Sequence, residues 1–243
     1  MERNVYIRQY NQNINHWWFE GRKLILSCIL KKFVNKKKIV ILDYGCGVGI
    51  NLSMLSKYGK VFYYDKSRLA INYVKKKYSN KKFFINFDKL LRYKNKFDLI
   101  VATDVIEHIK NDKKEILKIS NLLKKDGYIL ITVPAFQSLF SSKDISLKHY
   151  RRYNKETLHN LLNKNFHEIK FTYFNFILFI PIAILILFFK RTKIKFIDSV
   201  EKKPTFLINK IAFYLFAVES FLINKMKFPF GISLLFFGKK INN

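Results

Sequence analysis

Between Lys38 and Gly49 the chain reads KIVILDYGCGVG, and this stretch restricts the possible folds more tightly than any other. Ile39 to Leu42 are consecutive apolar residues, a run that suits a short strand buried on both faces. It ends on Asp43 and passes through Gly45, Gly47 and Gly49, after which Leu52, Met54 and Leu55 resume as a helix. A strand that opens through glycines into a helix brings backbone amides close to a nucleotide-like ligand at the carboxyl edge of a sheet. The spacing here is G-x-G-x-G, with an aspartate two residues ahead, whereas the dinucleotide fingerprint G-x-G-x-x-G sets its third glycine one residue later. A tight turn without a ligand is the alternative.

His16 to Val34 reads as a helix with Leu24, Ile25, Cys28 and Ile29 on one stripe. Trp17, Trp18 and Phe19 adjoin at its start, followed by Gly21, Arg22 and Lys23. These aromatics either anchor the helix on the sheet or form a lid over a ligand. In the lid reading Arg22 meets a carboxylate, which a guanidinium holds through two parallel hydrogen bonds. Val61 to Tyr64 is a second strand ending at Asp65, where a carboxylate can accept from both hydroxyls of a ribose. Ser67 to Tyr78 follows as a helix with Ala70, Val74 and Tyr78 inward, and Phe83 to Phe87 as a third strand. The fourth strand and the turn after it occupy FDLIVATDVIEHI, Phe97 to Ile109, with Leu99 to Ala102 buried on both faces. Thr103 and Asp104 then emerge at the carboxyl edge. Lys110 to Lys124 is a helix with Ile116, Ile119 and Leu123 inward; Lys125-Asp126-Gly127 is its stop, and Tyr128 to Val133 is a fifth strand. Strands alternating with helices in this way give a parallel sheet built by right-handed crossovers.

In order, DYGCGVG, YYDKS, FDLIVATDVIEHI and LLKKDGYILITVPA resemble the class I S-adenosylmethionine-dependent methyltransferases, over residues 16–176 and again over 230–238. The resemblance implies an α/β fold: a Rossmann-like, doubly wound, seven-stranded sheet with a reversed last strand. It implies S-adenosylmethionine as cofactor, held by Arg22, Asp43, Gly45, Gly47, Gly49, Asp65, Lys66, Asp88, Lys89 and Thr103. Asp88 would contact the adenine amine and the amide of Lys89 would lie near the ring, although Phe87 stands where that family usually has a glycine. HWWFEGR, HYRRYN, FNFILFIP and FPFGISLL further resemble a bacterial group of these enzymes, methyltransferase type 11/12-like.

The long connection Ala135 to Tyr153 leaves the ligand-binding edge, and a loop of this length inside a compact domain is usually functional. A sulfonium methyl is already a strong electrophile, so the protein has to hold a nucleophile in line with it, and removal of a proton is an optional addition. His149 is the candidate base, with Asp104 as a second catalytic residue; a structural histidine is the alternative. Trp17, Trp18, Arg151, Arg152 and Tyr153 are candidate substrate contacts, the arginines for a phosphate or carboxylate. No metal enters this reading. The alternative is Asp104, Glu107 and His108, whose i, i+3, i+4 spacing shares one face of a helical turn. That set resembles the acidic-and-His cluster of ubiquinone-pathway O-methyltransferases and of small-RNA 2′-O-methyltransferases, where a divalent ion lowers the pKa of a substrate hydroxyl. A Glu-His pair after this strand is also widespread among methyltransferases that need no metal.

Lys170 to Phe176 and Ile232 to Phe237 complete the sheet as sixth and seventh strands. Two apolar segments, Ile177 to Phe189 and Phe206 to Ile223, lie between them, joined by KRTKIKFIDSVEKKP. They read as a spanning or re-entrant pair, a mutually packed helix pair, or an amphipathic platform on a membrane surface. The chain thus divides into an N-terminal lid helix (1–36), a methyltransferase core (37–176 and 230–243) and an apolar helical cap (177–229). The net charge of +29, from 46 Lys+Arg against 17 Asp+Glu, favours an anionic partner, a membrane surface or nucleic acid. Cys28 and Cys46 make no disulfide framework, and MERNVYIRQYNQN lacks the apolar core of a signal peptide. The expectation is therefore a cytoplasmic methyltransferase, peripheral at the inner face of a membrane, that O-methylates a small-molecule or lipid-linked acceptor. Its rivals are an RNA methyltransferase, against which the apolar cap weighs, and a catalytically silent membrane-binding module, against which Asp43, Gly45, Gly47 and Asp65 weigh.

Overall fold

The computed structural model describes residues 15–34, 38–78, 83–84, 87–192 and 204–242. The expectations that fall on residues 1–14, 35–37, 85–86 and 193–203 lie outside them, among these most of the charged linker. The strands are β1 (Ile39–Tyr44), β2 (Gly59–Tyr64), β3 (Phe83–Phe84), β4 (Phe97–Thr103), β5 (Leu123–Pro134), β6 (Phe166–Phe174) and β7 (Ser233–Lys240). Around them lie α1 (Trp17–Phe33), α2 (Leu52–Leu55), α3 (Arg68–Lys77), α4 (Phe87–Leu91), α5 (Asp112–Leu122), α6 (Ser142–Ser146), α7 (Lys155–Leu162), α8 (Phe179–Thr192) and α9 (Phe206–Leu222).

One sheet holds all these strands in the order β3-β2-β1-β4-β5-β7-β6. Six of them have six residues or more, while β3 is a two-residue edge. β1 to β5 pair in parallel, and β7 runs antiparallel to both β5 and β6. This is a mixed α/β, Rossmann-like architecture. Its centre is apolar on both faces: Ile41 and Leu42 of β1 and Leu99 to Ala102 of β4 are fully buried. Chain order reverses at β1, which has β2 on one side and β4 on the other, so the loops leaving β1 and β4 diverge and open a crevice at the carboxyl edge.

Several boundaries differ from the sequence reading. The buried face of α1 is Gly21, Arg22, Ile25, Leu26, Ile29 and Leu30, which leaves Leu24 and Cys28 at the flank. In α3, Ile71 joins Ala70 and Val74 inside, while Tyr78 is half-buried at the helix end. Phe87 opens α4 instead of closing the third strand. β5 starts at Leu123, so Asp126 and Gly127 lie within the strand, where Asp126 takes φ +62° and the pairing with β4 shifts register. β6 begins at Phe166 rather than Lys170.

The two apolar helices between β6 and β7 do not use each other as their main support. α8 packs on the 3-10 turn Gln137–Leu139, and α9 lies along α1. Where α9 crosses α1 the backbones approach closely: a Cβ added at Gly21 would sit 2.1 Å from Cδ1 of Phe216. Among the described residues, no helix is long and apolar enough to cross a membrane.

Candidate active site

The loop after β1 is a chain of left-handed turns, with φ +74° at Gly45, +52° at Gly47 and +78° at Gly49. The amides of Gly45 and Cys46 both donate to the carbonyl of Tyr64 (2.8 and 3.0 Å), which clamps this loop to the end of β2. Asp65 tightens the clamp, accepting from the amide of Gly47 on one oxygen and from the amide of Ser67 on the other, each at 2.8 Å. Above Gly47 the space is open: a Cβ built there meets nothing within 4 Å. Asp43 lies at the base of this loop, 1% exposed, and both its carboxylate oxygens are without a hydrogen-bond partner. Burial raises its pKa to about 7, against the pull of Arg22 and with a smaller push from Asp65. A buried carboxylate with no donor is costly, and it marks a place where a ligand can supply one.

The end of β4 faces the same crevice. The side-chain amide of Asn51 donates to the hydroxyl of Thr103 at 2.9 Å, and its own carbonyl oxygen is buried without a partner. Asp104 turns with φ +54°, a conformation a non-glycine residue adopts under constraint from its surroundings. Its carboxylate accepts from the Thr132 hydroxyl at 3.1 Å and from Nη1 of Arg22. The Arg22 side chain is 5% exposed and its Nε is buried without a partner. Arg22, Asp43, Asp65 and Asp104 thus lie close together around the glycine loop, of whose three glycines only Gly47 faces open space. Lys66 is exposed beside Asp65, and Asp88 and Lys89 are exposed in the first turn of α4.

A second cluster adjoins this crevice. Nδ1 of His149 lies 2.9 Å from Asp144, whose carboxylate also accepts from Nε and Nη2 of Arg152 (2.8 and 2.9 Å) and from the amide and hydroxyl of Ser141. Burial would raise the pKa of Asp144, but the hydrogen bonds from His149 and Arg152 outweigh it and hold the carboxyl below the usual range. The His149 ring stands edge-on to His108, with centroids 4.5 Å apart. Burial and the neighbouring His149 lower the pKa of His108. Glu107 is fully buried with both oxygens unpartnered, and burial, then the charge of Asp104, raises its pKa. Glu107, His108 and His149 each bring one potential ligand atom within 4.8 Å of the others. Of the alternative metal set Asp104, Glu107 and His108, the last two lie with His149 in this group, on a 3-10 turn over Ile106–His108, while Asp104 is bonded to Arg22.

The expected substrate contacts are tied up within the chain. Arg152 is spent on Asp144, and Arg151 donates to Asp112 and to the carbonyl of Lys110, each at 2.7 Å. The Tyr153 hydroxyl donates to Asp112 at 2.9 Å, and its backbone bridges to Ala135, strapping the long loop onto the exit of β5. Trp17 and Trp18 pack against Phe216, and Trp18 also against Phe174, which anchors α1; Trp17 in addition lines a small open pocket with Asn15, Glu20, Asn209 and Phe213. Sequence reading missed Asn51 and Asp144. The latter had a signal, since SSKD carries the S-x-x-D spacing of a capping box, and Ser141 and Asp144 do form one.

A family model described as a methyltransferase domain matches residues 14–167, more than half of the chain. An uncharacterised protein of Methanocaldococcus jannaschii is 32% identical over 119 residues, 49% of this chain and 51% of that protein. A ubiquinone biosynthesis O-methyltransferase of Pelagibacter ubique is 32% identical over 100 residues, 39% of this chain and 42% of its own length. The chain therefore spans about half the length of these relatives, or less. Among solved structures, a SAM dependent methyltransferase from Archaeoglobus fulgidus superimposes with a TM-score of 0.56 at 17% identity, covering 90% of this chain and 94% of the other. At that identity the likeness is one of fold.

Proposed function

Because the chain belongs to the methyltransferase-domain family whose model spans its residues 14–167, we propose that it carries a methyl group from S-adenosylmethionine to a hydroxyl of a small-molecule or lipid-linked acceptor met at a membrane surface. S-adenosylmethionine is its cofactor and supplies, when bound, an electrophilic methyl on a charged sulfur. One observation carries the reading: Asp43 is buried with both oxygens unpaired, directly before a glycine loop that Asp65 fastens and that stays open above Gly47. These residues fit a cationic, hydroxyl-bearing ligand, with Asp43 and Asp65 as acceptors. Arg22 is a donor able to exchange Asp104 for a ligand carboxylate, and its unpaired Nε favours that exchange.

His149 is the base in this reading. Asp144 takes the hydrogen on Nδ1, which fixes the tautomer and leaves Nε2 to accept a proton from the acceptor hydroxyl. An oxygen acceptor is supported by the name of the Pelagibacter relative, a lipid-linked one by the exposed apolar helices beside the crevice. Incubation with methyl-labelled cofactor and bacterial lipid extract tests it. Label should enter the organic phase with the unsubstituted chain and not with His149→Gln, whereas label found only in added RNA contradicts it.

A second reading is favoured by the proximity of Glu107, His108 and His149. A neutral His108 and a buried, unpaired Glu107 suit a divalent cation, which would lower the pKa of the acceptor hydroxyl. A melting temperature raised by manganese or zinc, and lost in Glu107→Gln, supports it; activity that survives thorough chelation removes it.

A further inference from the structure

α8 and α9 are apolar on the side that faces solvent as well as on the side that faces the protein. In α8, Ala183 and Ile186 turn in towards Leu139, while Ile180, Ile184 and Leu187, spaced by four and three, are 60%, 61% and 48% exposed. In α9, Ala212, Phe216 and Glu219 are buried, while Leu207, Ile211, Tyr214, Val218 and Phe221 recur at i, i+4, i+7, i+11 and i+14 and are between 51% and 75% exposed. The outward stripe of a surface helix normally carries charges, so stripes of this kind mark a docking surface.

The charges around these stripes are mostly cationic, the acidic Glu20 of α1 lying beside Asn209 and Phe213 of α9. Glu219 is the one acidic residue in either helix, and it is buried against the root of α8, accepting from the amide of Phe176 at 2.8 Å. Lys190 and Arg191 end α8, Lys210 lies on α9, and Lys225 and Lys227 follow it, all exposed, with Lys227 paired to Glu168 at 2.8 Å. Over 177–229 the sequence has nine lysines and arginines against three acidic residues. Apolar faces rimmed by cations are the signature of helices that lie in the boundary between headgroups and acyl chains of an anionic bilayer. Length agrees: 14 and 17 residues give roughly 21 and 26 Å, short of the ~30 Å hydrocarbon core, so the helices lie in the surface.

We propose that the outward faces of α8 and α9 dock in the interfacial layer of an anionic bilayer. A second copy of the chain fits the same faces poorly, because the shared cationic rim would meet itself. The purpose of docking rests on the functional reading above: α9 packs on α1, the helix that carries Arg22, so the docked surface is one helix away from the crevice.

Vesicle flotation of the full chain tests the proposal, with phosphatidylcholine alone compared with phosphatidylcholine plus phosphatidylglycerol. The chain should float with the anionic vesicles, and Ile211→Glu combined with Val218→Glu should weaken partition about tenfold or more. Leu117→Glu, on an exposed site of α5, should leave it unchanged. Three results overturn the proposal: no flotation, flotation equal in the double variant, or a dimer in sedimentation that the double variant breaks while vesicles are ignored. A thermal shift with S-adenosylhomocysteine, measured on the same samples, separates this outcome from failure of the cofactor reading: a chain that floats but ignores the nucleoside retains the docking surface and loses the enzyme.

Discussion

At the scale of single residues, Asp43 carries a pH dependence whose sign follows from its burial. The ordinary aspartate pKa of 3.8 is raised to about 7, so the folded chain holds this proton more tightly than the unfolded one. Its contribution to stability is fully present below 3.8 and is lost as pH rises through about 7. Glu219 acts in the same direction, its pKa also raised to about 7 by burial, against the backbone amides that it accepts from. The melting temperature of the ligand-free chain should therefore fall between these values, and Asp43→Asn should flatten part of that slope. Adding Glu219→Gln should flatten more of it; equal slopes in all three chains would contradict the burial argument. In the proposed reaction Asp144, 2.9 Å from Nδ1 of His149, positions the base. Asp144→Asn should lower kcat by about 10²-fold or more with KM for the cofactor unchanged. A variant that loses only melting temperature would assign Asp144 to loop stability alone.

At the scale of elements, the legible parts were those whose signal is local. The apolar run of β1 and the glycines after it are adjacent in sequence, the aspartate closing β2 follows one short helix and one strand later, and together they fix the loop and its partner. The long-range parts were not legible. α9 is apolar around most of its circumference, so its periodicity does not say which face packs, and its partner α1 lies far away in sequence. The two arginines after the long loop looked available because their acceptors, Asp144 and Asp112, belong to other elements. The turn at Asp126 is absorbed into β5 because its pairing with β4 continues on either side of the register shift. Packing of α9 on α1 has a measurable consequence. Phe216 is 1% exposed and fills the space left by Gly21, so Phe216→Ala should cost about 3 kcal/mol in a urea titration. It should also weaken binding of S-adenosylhomocysteine, because α1 positions Arg22; unchanged affinity would mean that α1 is held without α9.

At the scale of the whole molecule, a Rossmann-like sheet brings two kinds of surface close together. Its carboxyl edge gathers carboxylates and glycine amides at the β1/β4 crevice, while the insertion between β6 and β7 offers apolar stripes within a cationic rim. The net charge of +29 alone would suit nucleic acid as well as lipid, and it is the apolar stripes that favour lipid. All of this depends on the crevice being a cradle for the cofactor. Isothermal titration of S-adenosylhomocysteine into the full chain, into Asp43→Ala and into Asp65→Ala tests that most directly. The unsubstituted chain should show one site, and affinity should fall at least about tenfold in each variant, with both variants still folded by circular dichroism. Equal binding by all three chains, or none by the unsubstituted one, would contradict it.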